Sequence, residues 1–364
     1  MRAAITKANA VNIIDHTVVV NTISDVRDGD TTSIVALKAD PGLDLVISLR
    51  EAIEAANNTA NIDATTNDRI LFDIPTQLTG ASAAHTIALT SELPIIIDAV
   101  TIEGISEPDY LSYGNRPVIE LDGSGAGVGS SGLVIDADNV IVNGLAINSF
   151  GRHGIEIDNG SSNTIHSNYF GTDVTGSVRK EIGNDAILIF DGSNNRIGIS
   201  QAGNLISGSA GSGVAIHGSL SFDNRVQGNL IGLNATGSNA IGNSGNGIEV
   251  RNGAPSSNVI GSDIAALRNV ISGNGGSGIH LGDVASQTEI YGNYIGTTGD
   301  GQSDLGNGGN GVLINGVANN NFIGNPSLTN AGNIIAFNGS AGIFLNGANV
   351  NSNQIQQNSI YSNS

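Results

Sequence analysis

One short pattern governs what this chain can fold into. A small residue, an apolar residue that is usually β-branched, any residue and an aliphatic one recur as GIEI at 154, AILI at 186, GVAI at 213, GIEV at 247, GIHL at 278, GVLI at 311 and GIFL at 342. The steps between them are 32, 27, 34, 31, 33 and 31 residues. A second motif follows each occurrence after a short turn: NTIHSN, NNRIG, NRVQGN, NVIG, TEIYGN, NFIG and NQIQQN. Repetition at this period marks stacked units, none of which can bury its apolar face alone. Composition by itself would read differently. The stretch GNGGNGVLINGVANNNFIGN (306–325) resembles low-complexity sequence, yet Val312, Ile314, Val317 and Ile323 keep the spacing of the repeat.

Alternate units match each other best: SNYFGT, GNLIGL and GNYIGT in one set, GNLISG, RNVISG and GNIIAF in the other. The simplest arrangement is a coil of three short strands, with an insertion alternating between two corners. Runs of I-x-I type bounded by Gly and Asn fit strands with one inward and one outward face. Stacking then makes an inward column of Ile155, Ile187, Val214, Ile248, Ile279, Val312 and Ile343, and a second from Ile157 to Leu345. Asn168, Asn229, Asn293 and Asn358 fall at one corner, where Gly144 occupies the matching place upstream. Since tight turns need positive φ, which Gly takes freely and Asn tolerates, these Asn are expected to serve backbone geometry. The fold class is all-β: a parallel β-helix of three-strand coils in units of about 31 residues that alternate in pairs.

The N-terminal part departs from this pattern. In SLREAIEAANN (48–58), Leu49, Ile53 and Ala56 share a helical face, and Ser48 with Glu51 forms a capping box. We expect residues 1–100 to form a cap, with the helix 48–58 covering the open end of the solenoid, and 101–364 to form the repeats. The preceding TTSIVALKADPGLDLV reads as a linker. At the other end NQIQQNSIYSNS stops partway through a coil without a capping pattern, so further coils, in nature or in an assembly partner, are expected to stack there.

Charge narrows the partners. The formal net charge is −19 with 14 Lys plus Arg, which argues against nucleic acid and anionic membrane. Trp is absent, so stacking platforms for sugars or bases are scarce. With no Cys, disulfides, zinc–thiolate sites and thiol catalysis are excluded. No apolar run approaches the ~20 residues of a spanning helix. The first residues, MRAAITKANAVNIIDHT, lack the apolar core of a secretory leader, so export by another route, or excision from a longer chain, is expected.

The run VNTISDVRDGD followed by SLREAIEAANN resembles the CSLREA-type domain of bacterial secreted and surface proteins, and the IGT-x-x-TG and GNGGNGV units resemble the right-handed β-helix repeats that usually follow it. The family's Cys is Ile47 here. The resemblance implies a right-handed solenoid and an extracellular or cell-surface location, without a reaction.

Two functions compete. The first is a non-catalytic adhesin, stalk or scaffold that contacts a polysaccharide or another surface protein. The second is a lyase or epimerase acting on a uronic-acid polymer. For the enzyme, the outward column of the first strand matters: Glu249 and His280 stand on adjacent coils, with His217 and Arg251 beside them. They could act as base, orienting group and carboxylate clamp. Outward charges on neighbouring strands also simply pair. Asp25, Asp28 and Asp30 in SDVRDGD set three carboxylates around a Gly, a calcium-like pattern that a D-G turn would equally produce. Asp300 and Asp304 form a weaker pair of the same kind.

Overall fold

The computed structural model describes residues 16–61, 67–75, 78–80, 83–251 and 257–364. Residues 1–15 of the expected N-terminal cap lie outside them. The fold has three parallel sheets of 11, 10 and 8 strands, here A, B and C, with sheet C starting at Leu133–Ile135. From Leu133 on, each coil contributes one strand to C, then A, then B, as in Ile155–Asp158, Thr164–His166 and Tyr169–Phe170, before the chain returns to sheet C at Ile187–Phe190. Winding in one sense through such parallel crossovers produces a right-handed parallel β-helix.

The strands are short because only one or two side chains per strand face inward, and those build the core. Ile155, Ile187, Val214, Ile248, Ile279 and Val312 stack in register and are fully buried, with Ile343 partly covered. The second expected column is buried from Ile157 through Ile189, Ile216, Val250 and Leu281 to Ile314, while Leu345 at its end is exposed. The alternating insertions form small turns closed by antiparallel bridges, Thr172 to Arg179, Leu233 to Ala240 and Thr297 to Asp304.

The corner Asn have a different reason from the one expected. Positive φ falls on the residue before each of them, at Ser167, Gly228, Gly292 and Gln357. The Asn side chains point into the solenoid and bond along its axis. Asn168, Asn204, Asn229, Asn269, Asn293, Asn333 and Asn358 form one continuous ladder. Asn229 is typical: its Oδ1 accepts from the Asn204 amide at 2.9 Å, and its Nδ2 donates to the Ile197 carbonyl at 2.7 Å. Asn163, Asn195, Asn224 and Asn258 form a second ladder, in which the Asn163 Nδ2 alone lacks a partner among the described residues, and Asn243, Asn274, Asn307 and Asn338 form the third. Each corner turns away from ladder pairing, and a buried amide supplies both the acceptor and the donor that the turning backbone needs.

At the N-terminal end, helix α2 (Leu49–Asn57) carries the capping box, with Ser48 and Glu51 bonding each other's backbone amides. Leu49, Ala52, Ile53, Ala55 and Ala56 are buried against the first strands. Asn57 accepts from the Ile97 amide and donates to the Ile95 carbonyl, and Arg50 donates to the carbonyls of Ser91 and Glu92. Helix side chains thus satisfy edge groups of the first turn of the solenoid. The segment read as a linker contains a further helix, α1 (Ile34–Ala39), started by Ser33, whose side chain accepts from the Ala36 amide. Ile34 and Leu37, three residues apart, are its buried face. Among the described residues, no helix is long and apolar enough to cross a membrane.

Candidate functional site

The outward face of sheet C holds the expected cluster. Register places Glu249 opposite His280 and His217 opposite Arg251, so parallel stacking alone brings residues 31 and 34 positions apart side by side. His280 Nδ1 lies 3.3 Å from Glu249 Oε1, and Arg251 Nε donates to the same oxygen at 3.0 Å. Glu249 Oε2 accepts from Ser212 Oγ at 3.1 Å. The far side of the imidazole, Nε2, meets Asn315 Oδ1 at 3.0 Å. Arg251 Nε is also 3.9 Å from Asp283 Oδ2. His217 stands next to Arg251 but outside this network: its Nε2 is buried without a hydrogen bond.

These contacts decide the chemistry available. Burial acts to raise the Glu249 pKa, but the His280 hydrogen bond and the Arg251 charge outweigh it and hold the carboxyl at about 2. Such a group stays ionised and is a weak proton acceptor at neutral pH. Both nitrogens of His280 and both oxygens of Glu249 are already engaged within the cluster. Although His280 faces out of the sheet, it is only 6% exposed. It is therefore a buried member of a network, where the sequence suggested a free surface side chain.

Asp185 and His153, which the sequence reading did not single out, lie two and three coils before Glu249. Asp185 Oδ1 accepts from the Ser212 amide at 2.7 Å, and its Oδ2 lies 3.7 Å from His153 Nδ1. Burial pushes Asp185 up to about 6, and burial with the Arg152 charge pulls His153 down to about 4. A signal for this column was present in the sequence: His153, Asp185 and Ser212 each immediately precede the repeated Gly or Ala.

The other expected positions have separate partners. Asp25 takes Arg50 through both oxygens, at 3.0 and 2.9 Å, and accepts from Thr90. Asp28 accepts from the Leu43 amide and Asp30 from Thr32. Asp300 and Asp304 bond amides of their own turns. Among the described residues, the side chains grouped tightly enough to share one metal ion are His85, Glu107 and Asp109.

Along the sequence the basic residues are spread out, but the fold brings two of them together on sheet A. Arg196 and Arg225, 29 residues apart, are opposite each other in register and both exposed. They line a recess of about 610 Å³ together with Ser162, Thr164, Asn194 and Asp223.

Sheets, coils and inward columns together define the class, a parallel β-helix. No protein-family model matches the chain, and no curated protein sequence matches it. Among solved structures it is similar to the periplasmic alginate epimerase AlgG (16% identity, 80% of this chain, 60% of that one, TM-score 0.47). It is also similar to the Azotobacter vinelandii mannuronan C-5 epimerase AlgE4 A-module (14% identity, 82% of this chain and 76% of that one, TM-score 0.47). The pectate lyase Pel9A aligns over 95% of this chain and 80% of its own, at 15% identity and a TM-score of 0.39. These are likenesses of fold, and the chain spans about 60% of the length of the AlgG structure.

Proposed function

We propose that this chain is a non-catalytic β-helix module of the cell surface or extracellular space, an adhesin, stalk or scaffold that contacts an anionic polysaccharide. The closed Glu249 network carries the proposal: its proton-carrying groups are turned toward one another. The resemblance of the SLREAIEAANN segment to a domain of secreted and surface proteins supports the location. Glycan contact is assigned to Arg196 and Arg225. Like charges opposite each other on neighbouring strands cost stability, and neither forms an ion pair with another described residue, so an anionic group bridging them would offset that cost. The strongly acidic remainder of the surface restricts such contact to this recess.

A lyase or epimerase reading rests on one observation. Asp185, at about 6, is the one carboxyl on this face tuned toward general acid–base work, and His153 stands beside it.

A panel of uronic-acid polymers, with and without calcium, separates the two readings. We expect salt-sensitive binding that disappears in the Arg196→Ala/Arg225→Ala double variant, with neither an ultraviolet-absorbing unsaturated product nor proton exchange at the sugar C5. Turnover by the unmodified chain, lost in Glu249→Gln, His280→Ala or Asp185→Asn, would replace the module by the enzyme.

A further inference from the structure

Away from the sheet C cluster, the strand His85–Ala88 at the edge of sheet B faces the segment 104–113, which ends in the short helix Asp109–Ser112. His85 and Glu107 are buried, with side chains 1% and 2% exposed, while Asp109 is 26% exposed. His85 Nε2 is 3.5 Å from Glu107 Oε1 and 3.4 Å from Asp109 Oδ2. It makes no hydrogen bond to either, nor to any other described group. A buried imidazole nitrogen between two carboxylates and hydrogen-bonded to neither is costly unless the imidazole is protonated or an ion joins the three groups.

The spacing identifies what would. Zinc holds imidazole nitrogen and carboxylate oxygen at roughly 2.0–2.2 Å in a tetrahedron, which separates two of its ligand atoms by about 3.4 Å. That is the separation of His85 Nε2 from each oxygen, and all three atoms lie within 4.8 Å of one another. The surroundings support ligation as well. Glu107 Oε2 accepts from the Ile74 amide at 3.0 Å, which orients the carboxylate and leaves Oε1 toward His85. The segment itself is fixed by Ser106, whose Oγ accepts from the Phe72 amide at 2.7 Å, and by the Tyr113 amide on the Asp109 carbonyl. The partly exposed Asp109 gives an ion a path from solvent.

We propose that His85, Glu107 and Asp109 form a divalent-metal site with a preference for zinc, in which the ion staples segment 104–113 to the first strand of sheet B. The ion would supply positive charge between two carboxylates of a strongly acidic chain, and Asp109 would leave one coordination position facing solvent. One imidazole among the three ligands favours zinc over calcium and magnesium, which prefer all-oxygen sites.

Zinc chloride titrated calorimetrically into the tag-free, chelator-stripped full chain tests this. We expect saturable binding of one ion per chain, at least ten-fold weaker in Asp109→Asn and abolished in His85→Gln, but unchanged in Glu249→Gln. Circular dichroism would establish that each variant is folded. Should His85→Gln not fold, Asp109→Asn, altered at a partly exposed side chain, decides the matter alone. Cobalt(II) in place of zinc should give the intense visible bands of tetrahedral coordination, and Asp109→Asn should change them. Absence of saturable binding, or binding unaffected by Asp109→Asn, would overturn the site and leave the trio as a protonated histidine between two carboxylates.

Discussion

Two of the histidine–carboxylate groups in this molecule, those of His280 and His85, differ in how their polar atoms are used. Around Glu249, each carboxylate oxygen and each nitrogen of His280 has a partner supplied by a neighbouring coil. Around His85, a buried nitrogen lies 3.5 and 3.4 Å from two carboxylates without the alignment of a hydrogen bond to either. The first group is complete as built and contributes to holding sheet C together. The second would be satisfied by the proposed ion. The presence of His, Glu and Arg at one place is therefore a poor indicator of function, and the pattern of their unused atoms is a better one.

The largest effect separates inward from outward on one strand. Ile279→Asp should cost roughly 4 kcal/mol or more and unfold several coils, because it buries an unpaired charge between Ile248 and Val312. Its neighbour tests the closed network. His280→Asp should cost about 1–3 kcal/mol, since it sets a carboxylate against Glu249 and strips Glu249 of its imidazole partner. Urea unfolding of both variants would check this order, and a silent His280→Asp would mean the network contributes nothing.

Acid separates two carboxyls on the same face. Glu249, at about 2 when folded against an ordinary value of 4.5, adds stability that is complete above about pH 4.5 and lost as pH falls toward 2. Asp185, raised from 3.8 to about 6, works in the opposite sense: its ionisation costs stability as pH rises from about 4 to about 6. Urea midpoints between pH 7 and 2 should show Glu249→Gln losing less on acidification than the parent, and Asp185→Asn lacking the decline between pH 4 and 6. The smallest effect is expected at Asp283, 47% exposed and 3.9 Å from Arg251. Asp283→Asn should stay within about 0.5 kcal/mol of the parent.

Much of this was legible in the sequence, for a physical reason. A solenoid repeats one local rule, so the inward columns, the helix with its Ser48–Glu51 box and the adjacency of Glu249 and His280 follow from spacing alone. The Asn were located correctly but misread, because an Asn chosen for positive φ and one chosen for its amide look alike at a Gly-rich corner. Their burial distinguishes them. Helix α1 escaped notice because six residues with one apolar pair, flanked by Pro41 and Gly42, resemble a linker. Arg196 and Arg225 were hidden by reading charge along the chain instead of across coils. His85, Glu107 and Asp109 lie upstream of the regular repeat, where no periodicity predicts which residues meet.

The contrast between the closed and the unsatisfied group can be tested in a single crystal. Anomalous diffraction at the zinc edge, from crystals of the full chain grown with zinc chloride, should show a peak between His85 Nε2, Glu107 Oε1 and Asp109 Oδ2, and none at Glu249 and His280. A map with no peak at the first site, or with zinc bound between Glu249 and His280, would contradict the distinction drawn between them.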